Sequence, residues 1–259
     1  AIPAYDGLIV RSATKATREV IEAGVNLKIV GRAGVGVDNV DVAAATERGI
    51  IVCNAPTSNI VSAAEHTIAL LMAQVRNIPQ ANASMHACKW ERSKFTGTEV
   101  LDKTLGLVGL GRIGTLVAER AKGLGMKIVA YDPYITEERA AQLGIGYAGS
   151  LDELLPLADF ITVHLPKTKE TIGMFGDEQF AKMKDGVRLV NTARGGIYQE
   201  AALIKALESG KVASAGVDVY EVEPCTDSPL FAFEQVIVTP HLGASTEEAQ
   251  DRAGEQIAE

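Results

Sequence analysis

The sequence contains little cysteine, has fewer basic than acidic residues and lacks any long apolar run. Its three cysteines, Cys53, Cys88 and Cys225, are odd in number and widely spaced, which argues against a disulfide framework and against a zinc site. No apolar run approaches the roughly 18 residues that a membrane-spanning helix requires, and no signal-peptide pattern is found. These absences predict a cytoplasmic protein that works in a reducing compartment without a bound metal.

The charge balance excludes further classes of partner. The 259 residues include 33 acidic and 25 basic side chains, a formal net charge of −8, which argues against general binding to nucleic acid or to membrane surfaces. An anionic substrate would therefore need locally placed arginines. A hydrophobic content of 47% with a charged content of 22% is typical of a globular chain that buries one large core or two moderate ones.

A glycine-rich turn after an apolar run organises the rest of the sequence. The run 105–108 leads into Gly109-x-Gly111-x-x-Gly114 and then into a helical pattern. Gly109 permits a tight turn, Gly111 lets a pyrophosphate approach the backbone, and Gly114 lets helix and strand pack closely. The phosphates would bind at the N-terminus of that helix. Taken alone, the turn is also compatible with another kind of α/β protein.

An acidic residue at the end of the next strand narrows the choice of dinucleotide. The apolar segment 126–131 ends at Asp132, 18 residues beyond Gly114 (132 − 114). A carboxylate at this place can accept hydrogen bonds from both hydroxyls of the adenosine ribose and would repel a 2′-phosphate. The sequence therefore predicts NAD as the cofactor.

Strand and helix signals alternate along the chain, which predicts parallel sheets. Strands are expected at 7–10, 27–30, 50–53, 105–109, 126–131, 159–163, 187–191, 212–217 and 235–239. Residues 58–88 are expected to form the longest helical stretch, broken or kinked at Pro79. We expect two α/β domains with doubly wound parallel sheets. A Rossmann dinucleotide domain would span 58–242, and a flavodoxin-like, truncated substrate-binding domain would combine 1–57 with 243–259.

A site for hydride transfer also needs a base, and the chain offers four histidines. His66 lies inside the long helical stretch and is expected to be a structural or interface residue, while His86 lies in a polar stretch. His164 ends a strand and could either line a cofactor cleft or be structural. His241 follows the apolar strand 235–239 and precedes a glycine turn, so we predict that it is the acid/base.

Two further strand ends supply the partners that such a histidine needs. A carboxylate would raise its pKa and fix its orientation; Glu223 is the candidate, and Glu221 in the same loop is its rival. Arg194, in a glycine-flanked turn after the strand 187–191, can form a bidentate pair with a substrate carboxylate. We predict Arg194, Glu223 and His241 as the catalytic set.

Four segments together resemble the signature set of the D-isomer-specific 2-hydroxyacid dehydrogenases. They are 109–114 (GLGRIG), 191–196 (NTARGG), 218–224 (DVYEVEP) and 240–246 (PHLGAST). Segments 32–41, 89–92 and 241–246 resemble, within that family, the branch that acts on 3-phosphoglycerate. One departure is Tyr198-Gln199-Glu200, where the family often has Val-Asp-Glu. Because this stretch begins a helix and carries no acid/base group, we expect no loss of activity from it.

The resemblance implies oxidation of 3-phospho-D-glycerate, a small phosphorylated 2-hydroxy acid, to 3-phosphohydroxypyruvate with NAD, the first step of serine biosynthesis. It also implies a cofactor site, in which Arg112 and Ile113 would contact the pyrophosphate and Asp218 the nicotinamide amide. The full cofactor-binding set that it implies is Val35, Gly109, Gly111, Arg112, Ile113, Gly114, Asp132, Leu165, Thr192, Ala193, Arg194, Asp218, His241, Gly243 and Ala244.

The same resemblance places substrate contacts outside the catalytic set. The backbone of Gly34 and Val35 would meet the substrate carboxylate, together with Arg194. The substrate phosphate needs further cations, for which Arg11 and Arg92 are the candidates, the second reaching in from a partner subunit.

The family pattern also sets the expected surroundings of the site. The active site would lie in the cleft between the domains, and segment 58–100 would build a homodimer, alone or within a homotetramer. The chain lacks the strand–helix unit that begins the family fold and any C-terminal regulatory module, so we expect a fragment of a longer protein. Two alternatives stay open: a sibling dehydrogenase acting on glycerate, glyoxylate or D-lactate, and an NAD-sensing binding protein like the corepressors of this family.

Overall fold

The computed structural model describes residues 2–259, which form two compact units. One unit combines residues 2–62 with 244–259, and the other comprises residues 63–243. Each unit contains one sheet, and every strand pair in both sheets is parallel. The predicted class, two parallel-sheet α/β units of which the larger is Rossmann-like, is confirmed. None of the helices in the described range has the length and apolarity needed to cross a bilayer.

The elements alternate between strand and helix along most of the chain. The strands are β1 (Gly7–Val10), β2 (Ile29–Arg32), β3 (Ile51–Asn54), β4 (Thr104–Val108), β5 (Lys127–Tyr131), β6 (Gly146–Tyr147), β7 (Phe160–Val163), β8 (Val187–Asn191), β9 (Val212–Val217) and β10 (Val236–Val238). The helices are α1 (Arg18–Ala23), α2 (Val42–Glu47), α3 (Ile60–Val75), α4 (Ile78–His86), α5 (Arg112–Gly123), α6 (Glu137–Gln142), α7 (Leu151–Leu154), α8 (Asp177–Lys182), α9 (Glu200–Glu208) and α10 (Glu247–Ala258). Short 3-10 segments cover Ile2–Ala4, Arg92–Phe95 and Pro229–Ala232.

The smaller unit has a three-stranded sheet in the order β1-β2-β3. Its helices begin at side chains that accept hydrogen bonds from the first turn: Thr17 caps α1, Asp41 caps α2 and Thr246 caps α10. Each such cap stabilises its helix by about 1 kcal/mol. The segment Ser245-x-x-Glu248 has the sequence pattern of a capping box, but Thr246 is the cap of α10 and Ala249 is the third helical residue, so that capping box does not form.

The larger unit has a seven-stranded sheet in the order β10-β9-β8-β7-β4-β5-β6. The chain starts at β4, proceeds outward to β6, and then returns to β7 on the other side of β4, so the winding direction reverses between β4 and β7. Ligands of such sheets bind beyond the carboxyl ends of the strands at this reversal. The glycine turn follows β4, and the other predicted site segments follow β5, β7, β8, β9 and β10.

Apolar side chains cover both faces of the seven-stranded sheet. On β7, Phe160 belongs to one buried cluster, while Ile161 and Val163 belong to the other. This division follows from strand geometry, because successive side chains point to opposite faces. A strand buried on both faces is continuously apolar, which is why these strands are detectable as uninterrupted apolar runs.

Local differences from the predicted elements have simple physical reasons. The helical stretch 58–88 is two helices, and the break lies at Arg76-Asn77, where Asn77 has φ 51°. The prediction that Pro79 breaks the helix is therefore wrong in position. Pro79 lies in the first turn of α4, where its missing N–H costs no helical hydrogen bond. The two-residue strand β6 was not predicted because it is too short to carry a periodic signal.

Candidate active site

The glycine turn between β4 and α5 leaves an open helix end. Gly109 has φ 98°, a left-handed conformation that favours glycine. A Cβ on Gly114 would lie 2.1 Å from the Gly109 carbonyl oxygen, so glycine there lets α5 pack on the turn. Gly111, the N-cap, has no side chain to cap the first N–H groups, and within residues 2–259 no atom outside Gly111 and the adjoining chain lies within 4 Å of its would-be Cβ. The helix dipole therefore faces a space that an anion can enter.

Asp132 follows β5 and is held against the glycine turn. Its Oδ2 accepts a hydrogen bond from the Leu110 N–H at 2.7 Å, and its Oδ1 accepts one from the Tyr134 N–H at 2.8 Å. The residue is buried. These bonds fix the carboxylate beside the start of α5, where the sequence predicts an adenosine ribose.

Asn191, at the end of β8, shapes the loop that carries Arg194. Its Oδ1 accepts a hydrogen bond from the Ala193 N–H at 3.0 Å, and its Nδ2 donates to the Arg194 carbonyl at 2.9 Å. Thr192 is buried, with its hydroxyl 2.7 Å from that of Thr67 on α3. These side-chain bonds hold the backbone from which the Arg194 guanidinium extends.

His241 and Glu223 form a direct pair. Nδ1 of His241 lies 2.6 Å from Oε2 of Glu223, while Oε1 of Glu223 accepts a hydrogen bond from the Tyr220 N–H at 2.9 Å. An ionised carboxylate only accepts, so Nδ1 carries the proton and Nε2 is left for a substrate. The rival Glu221 instead accepts the Glu200 N–H at the start of α9. The structure thus pairs His241 with Glu223.

The pair shifts the titration of both groups. The hydrogen bond that His241 donates to Glu223 holds the pKa of His241 above its ordinary value of 6.5, although burial and the charge of Arg194 act in the opposite direction. Burial acts to raise the pKa of Glu223, but the hydrogen bonds from His241 and Tyr220 leave it below its ordinary value of 4.5. The imidazole is 44% exposed, so it can reach a bound substrate.

Backbone contacts join the loops that follow β8, β9 and β10. A Cβ on Gly195 would lie only 1.7 Å from the Tyr220 carbonyl oxygen, so the first two loops touch backbone to backbone. The His241 N–H donates to the Asp218 carbonyl at 2.9 Å, which ties the third loop to the second. Each loop carries one member of the predicted catalytic set, and the three are therefore held as one assembly.

Asp218 has no exposed side-chain surface. Its Oδ1 accepts hydrogen bonds from the Thr239 hydroxyl at 2.5 Å and the Leu242 N–H at 2.7 Å, and its Oδ2 accepts one from the Gly243 N–H at 2.9 Å. Burial acts to raise its pKa, but these bonds and one from His66 keep the pKa below 3.8. Its contact with the nicotinamide amide stays a prediction; in the chain itself, Asp218 orders the turn after β10.

The other three histidines lie in different surroundings. His164 contacts the Thr162 hydroxyl through Nε2 at 3.0 Å, and burial lowers the pKa of His164 to about 3, so this imidazole is neutral near pH 7 and cannot serve as the acid/base there. His86 ends α4 and is exposed. His66 lies on α3 and faces the Asp218 network.

Three predicted substrate contacts, Arg11, Gly34 and Val35, lie in the smaller unit. Arg11 directly follows β1, and its Nη1 donates to Oε1 of Gln250 on α10 at 3.0 Å. Gly34 has φ 149°, and the Val35 carbonyl accepts a hydrogen bond from Nδ2 of Asn54 at 2.6 Å. The Asn54 bond fixes the loop after β2 whose backbone was predicted to bind a carboxylate.

Arg32 is a cation of the smaller unit that was not predicted from the sequence. It ends β2, its Nη2 donates to the Ser12 hydroxyl at 3.0 Å, and its Nη1 would lie 1.5 Å from a Cβ on Gly34. Its guanidinium therefore lies over the Gly34 loop. The signal that could have found it is its position at the carboxyl end of a parallel strand, directly before the glycine loop.

The remaining predicted site residues are distributed over both units. Arg112 and Ile113 form the first turn of α5. Leu165 follows β7, and its Cδ2 would lie 3.0 Å from a Cβ on Gly109. Arg92 begins a 3-10 segment of the larger unit and lines a surface pocket of about 270 Å³, and Ala244 belongs to the smaller unit.

Comparison with known sequences explains this arrangement. The sequence model described as "D-isomer specific 2-hydroxyacid dehydrogenase, NAD binding domain" matches residues 68–243. The chain belongs to this family. The matched range covers the glycine turn and all three loops of the predicted catalytic set.

Individual known proteins align with the chain over nearly all of its length. D-3-phosphoglycerate dehydrogenases of Mycobacterium tuberculosis and Archaeoglobus fulgidus are 61% and 56% identical over 259 residues, 100% of this chain and 49% of each relative. The chain therefore spans about half the length of these curated relatives. A crystal structure of NAD-dependent formate dehydrogenase from Staphylococcus aureus in complex with NAD is 36% identical, with a TM-score of 0.89, covering 99% of this chain and 78% of that chain.

The family assignment makes NAD the cofactor, and the residues of the larger unit fit it. The helix end behind Gly111 is open and uncapped, as a pyrophosphate requires. Asp132 is fixed beside it by two backbone N–H groups, as a ribose diol requires. A side chain at Gly109 or Gly114 would collide with backbone at 2.7 Å or less, so the turn cannot carry larger residues.

Proposed function

We propose that the chain carries the catalytic centre of a D-3-phosphoglycerate dehydrogenase, which oxidises 3-phospho-D-glycerate to 3-phosphohydroxypyruvate with NAD, the first step of serine biosynthesis. The observation that carries the proposal is the 2.6 Å pair of His241 and Glu223, held by backbone contacts to the Arg194 loop and on the same sheet edge as the NAD turn. The names of the curated relatives support the choice of substrate.

In the proposed reaction, His241 is the base. The hydroxyl proton of the substrate moves to Nε2 of His241, because Nδ1 is already engaged by Glu223. The carboxylate stabilises the imidazolium that results and keeps the ring in one orientation. Bound NAD would accept a hydride from the substrate carbon that carries this hydroxyl group. In the reverse direction the protonated His241 returns the proton to the carbonyl oxygen.

Arg194 is proposed to bind the substrate carboxylate. A guanidinium forms two parallel hydrogen bonds with a carboxylate, which orients it as well as neutralising it. Arg194 is close enough to His241 for its charge to act on the histidine's pKa. The Gly34–Val35 backbone is proposed as a second carboxylate contact, and Arg11, Arg32 and Arg92 as cations for the substrate phosphate.

The proposed function is tested by measuring NADH oxidation. The rate with 3-phosphohydroxypyruvate is compared with the rates with hydroxypyruvate, glyoxylate and pyruvate. We expect kcat/KM to be at least tenfold higher for the phosphorylated substrate. A preference for one of the others would indicate a sibling dehydrogenase. NAD binding without turnover of any of these substrates would indicate an NAD-sensing protein.

The raised pKa of His241 predicts the pH dependence of oxidation. Because the neutral imidazole is the base, kcat/KM should rise with pH and level off above the folded-state pKa of His241, which lies above 6.5. Glu223→Gln removes the main cause of the shift, so its midpoint should move to lower pH. Glu221→Gln is the matched control from the same loop and should leave the midpoint unchanged. An unshifted Glu223→Gln profile would contradict the pairing.

Asp132 is proposed to select NAD over NADP. Asp132→Ala removes charge-assisted hydrogen bonds to the ribose, each worth about 1.5–3 kcal/mol, so NAD should bind about 10- to 100-fold more weakly while NADP binding is weakened less. Calorimetric titration with both dinucleotides measures this. Asp185→Ala, at an exposed residue of the same unit, is the control. Equal affinity of the unaltered chain for NAD and NADP would contradict the proposed role.

We also propose that the chain forms a homodimer, alone or as the pair from which a tetramer is built, through the surface around α4. Its apolar side chains Ile78, Met85 and Trp90 are exposed, Trp90 by 80%, and such exposed clusters mark interaction sites. Trp90→Lys is expected to shift the sedimentation-equilibrium mass toward the monomer. Tyr134→Lys, at another exposed aromatic residue, should not. A monomeric unaltered chain at micromolar concentration would refute the proposal.

A further inference from the structure

A polar network behind the His241 turn takes no direct part in the proposed reaction. His66, in the second turn of α3, places Nε2 3.0 Å from the Thr239 hydroxyl and 3.3 Å from Oδ1 of Asp218. Its side chain is 19% exposed, so most of the ring is buried. The network thus connects a helix to the ends of β9 and β10.

The direction of each hydrogen bond follows from its partners. The Thr239 hydroxyl donates its single proton to Oδ1 of Asp218 at 2.5 Å. An ionised carboxylate only accepts, and the Thr239 oxygen has only lone pairs left for His66. Nε2 of His66 must therefore carry a proton, which it donates to the Thr239 oxygen while lying 3.3 Å from Oδ1 of Asp218. This fixes the orientation of the His66 ring and requires a donor at this position.

The network holds the backbone of the His241 turn. Asp218 accepts the N–H groups of Leu242 and Gly243 with its side chain and that of His241 with its carbonyl. His241 itself has φ 55°, a left-handed conformation that costs a non-glycine residue about 1–2 kcal/mol. Three consecutive N–H groups bound to one residue keep the turn in this conformation.

We propose that His66 is a positioning residue for His241, acting through Thr239 and Asp218. The proposal rests on the acid/base role proposed above for His241. By donating to Thr239 with its N–H beside Oδ1 of Asp218, His66 keeps the Asp218 carboxylate in the orientation that receives the N–H groups of the His241 turn. With its backbone held in this way, the loop segment 241–243 keeps the His241 ring oriented for its hydrogen bond with Glu223. Loss of the donor at residue 66 lets the turn relax and lengthens the His241–Glu223 bond.

Three charged groups face His241 directly and act on its pKa. Glu223 and Asp218 face it from the loop after β9, and Arg194 faces it from the loop after β8. His66 approaches this group from α3 through Asp218. The contacts of His66 connect it to His241 through Asp218 and Thr239, and the pKa of His241 reports whether this connection acts on the catalytic pair.

The experiment compares His66→Ala with two conservative variants and one control. His66→Gln retains a donor near the position of Nε2, and Thr239→Val removes the hydroxyl without a large change in shape. His86→Ala removes an exposed histidine outside the network. For each, histidine-labelled protein is titrated by NMR to obtain the pKa of His241, and kcat, KM and the pH profile are measured with 3-phosphohydroxypyruvate.

His66→Ala and Thr239→Val are expected to move the pKa of His241 down toward 6.5 and to lower kcat about tenfold, with the KM for NADH within about twofold. His66→Gln should restore most of the pKa of His241 and most of kcat, and His86→Ala should change neither the pKa nor kcat. A His66→Ala protein that loses thermal stability but keeps the pKa and pH profile of the unaltered chain would overturn the proposal, since His66 would then only anchor α3. The NMR titration needs no turnover. If no substrate is turned over, the proposed function is wrong, but the titration still shows whether His66 affects the pKa of His241.

Discussion

Substitution of His241 by asparagine is expected to lower kcat for 3-phospho-D-glycerate about 1,000-fold while changing the affinity for NAD by no more than about twofold. General acid–base catalysis contributes about 10²- to 10⁴-fold to enzymatic rates. Asparagine can keep a hydrogen bond toward Glu223, because its amide imitates Nδ1, but it cannot accept a proton at the position of Nε2. The loss therefore falls on the proton transfer and not on the NAD site, which is built mainly from the glycine turn and Asp132.

The measurement separates these contributions by combining steady-state kinetics with calorimetric titration of NAD. His86→Asn is the matched control, since His86 is exposed at the end of α4, and its kcat should stay within about twofold of the unaltered chain. A His241→Asn variant that retains a third or more of the original kcat would show that another group takes the proton. His164 would be a poor substitute, because burial keeps its pKa at about 3.

The parts of the site that can be predicted from sequence share one physical origin. Apart from the two-residue β6, the strands of the larger unit are mostly apolar runs, so their carboxyl ends are visible in the sequence, and parallel strands present these ends at one sheet edge. Polar residues that closely follow such runs, such as Asp132, Arg194 and His241, can therefore be assigned to one site from the sequence alone.

The parts that could not be predicted depend on contacts between distant segments. Glu221 and Glu223 are two residues apart in the same loop, and sequence offers no means of knowing that one turns to α9 and the other to His241. The role of His66 depends on the packing of α3 beside the end of β10, which no local pattern reveals. The break at Asn77 also involves a distant segment, since Nδ2 of Asn77 donates to the Thr96 carbonyl at 3.3 Å and the Thr98 N–H donates to the Val75 carbonyl at 2.9 Å.

Replacement of Gly195 by alanine is expected to destabilise the larger unit by about 3 kcal/mol and to lower kcat about 100-fold. The added Cβ would lie 1.7 Å from the carbonyl oxygen and 2.0 Å from the carbonyl carbon of Tyr220. Both are backbone atoms, so no side-chain rotation relieves the overlap, and overpacking of this kind costs typically about 1–3 kcal/mol. The loops of Arg194 and Glu223 would have to separate by more than an ångström. A misplacement of about 1 Å between catalytic groups can cost about 10² in rate.

Substitutions at two other glycines serve as controls, because they separate the overlap with backbone at Gly195 from the effects of left-handed strain and of helix propensity. Gly196 has φ 84°, but the atoms nearest its would-be Cβ are side-chain atoms 3.9 Å away, so Gly196→Ala should cost only the strain of a left-handed residue, about 1–2 kcal/mol. Gly123 ends α5 with no described atom within 4 Å of that position, so Gly123→Ala should be neutral or stabilising by up to about 1 kcal/mol.

The free energy of unfolding in urea and kcat are measured for all three variants. If Gly195→Ala resembles Gly196→Ala in both, the loops are able to separate freely and the backbone contact does not align Arg194 with the His241–Glu223 pair. If Gly195→Ala alone loses activity as well as stability, the contact of glycine with the Tyr220 carbonyl is what aligns them.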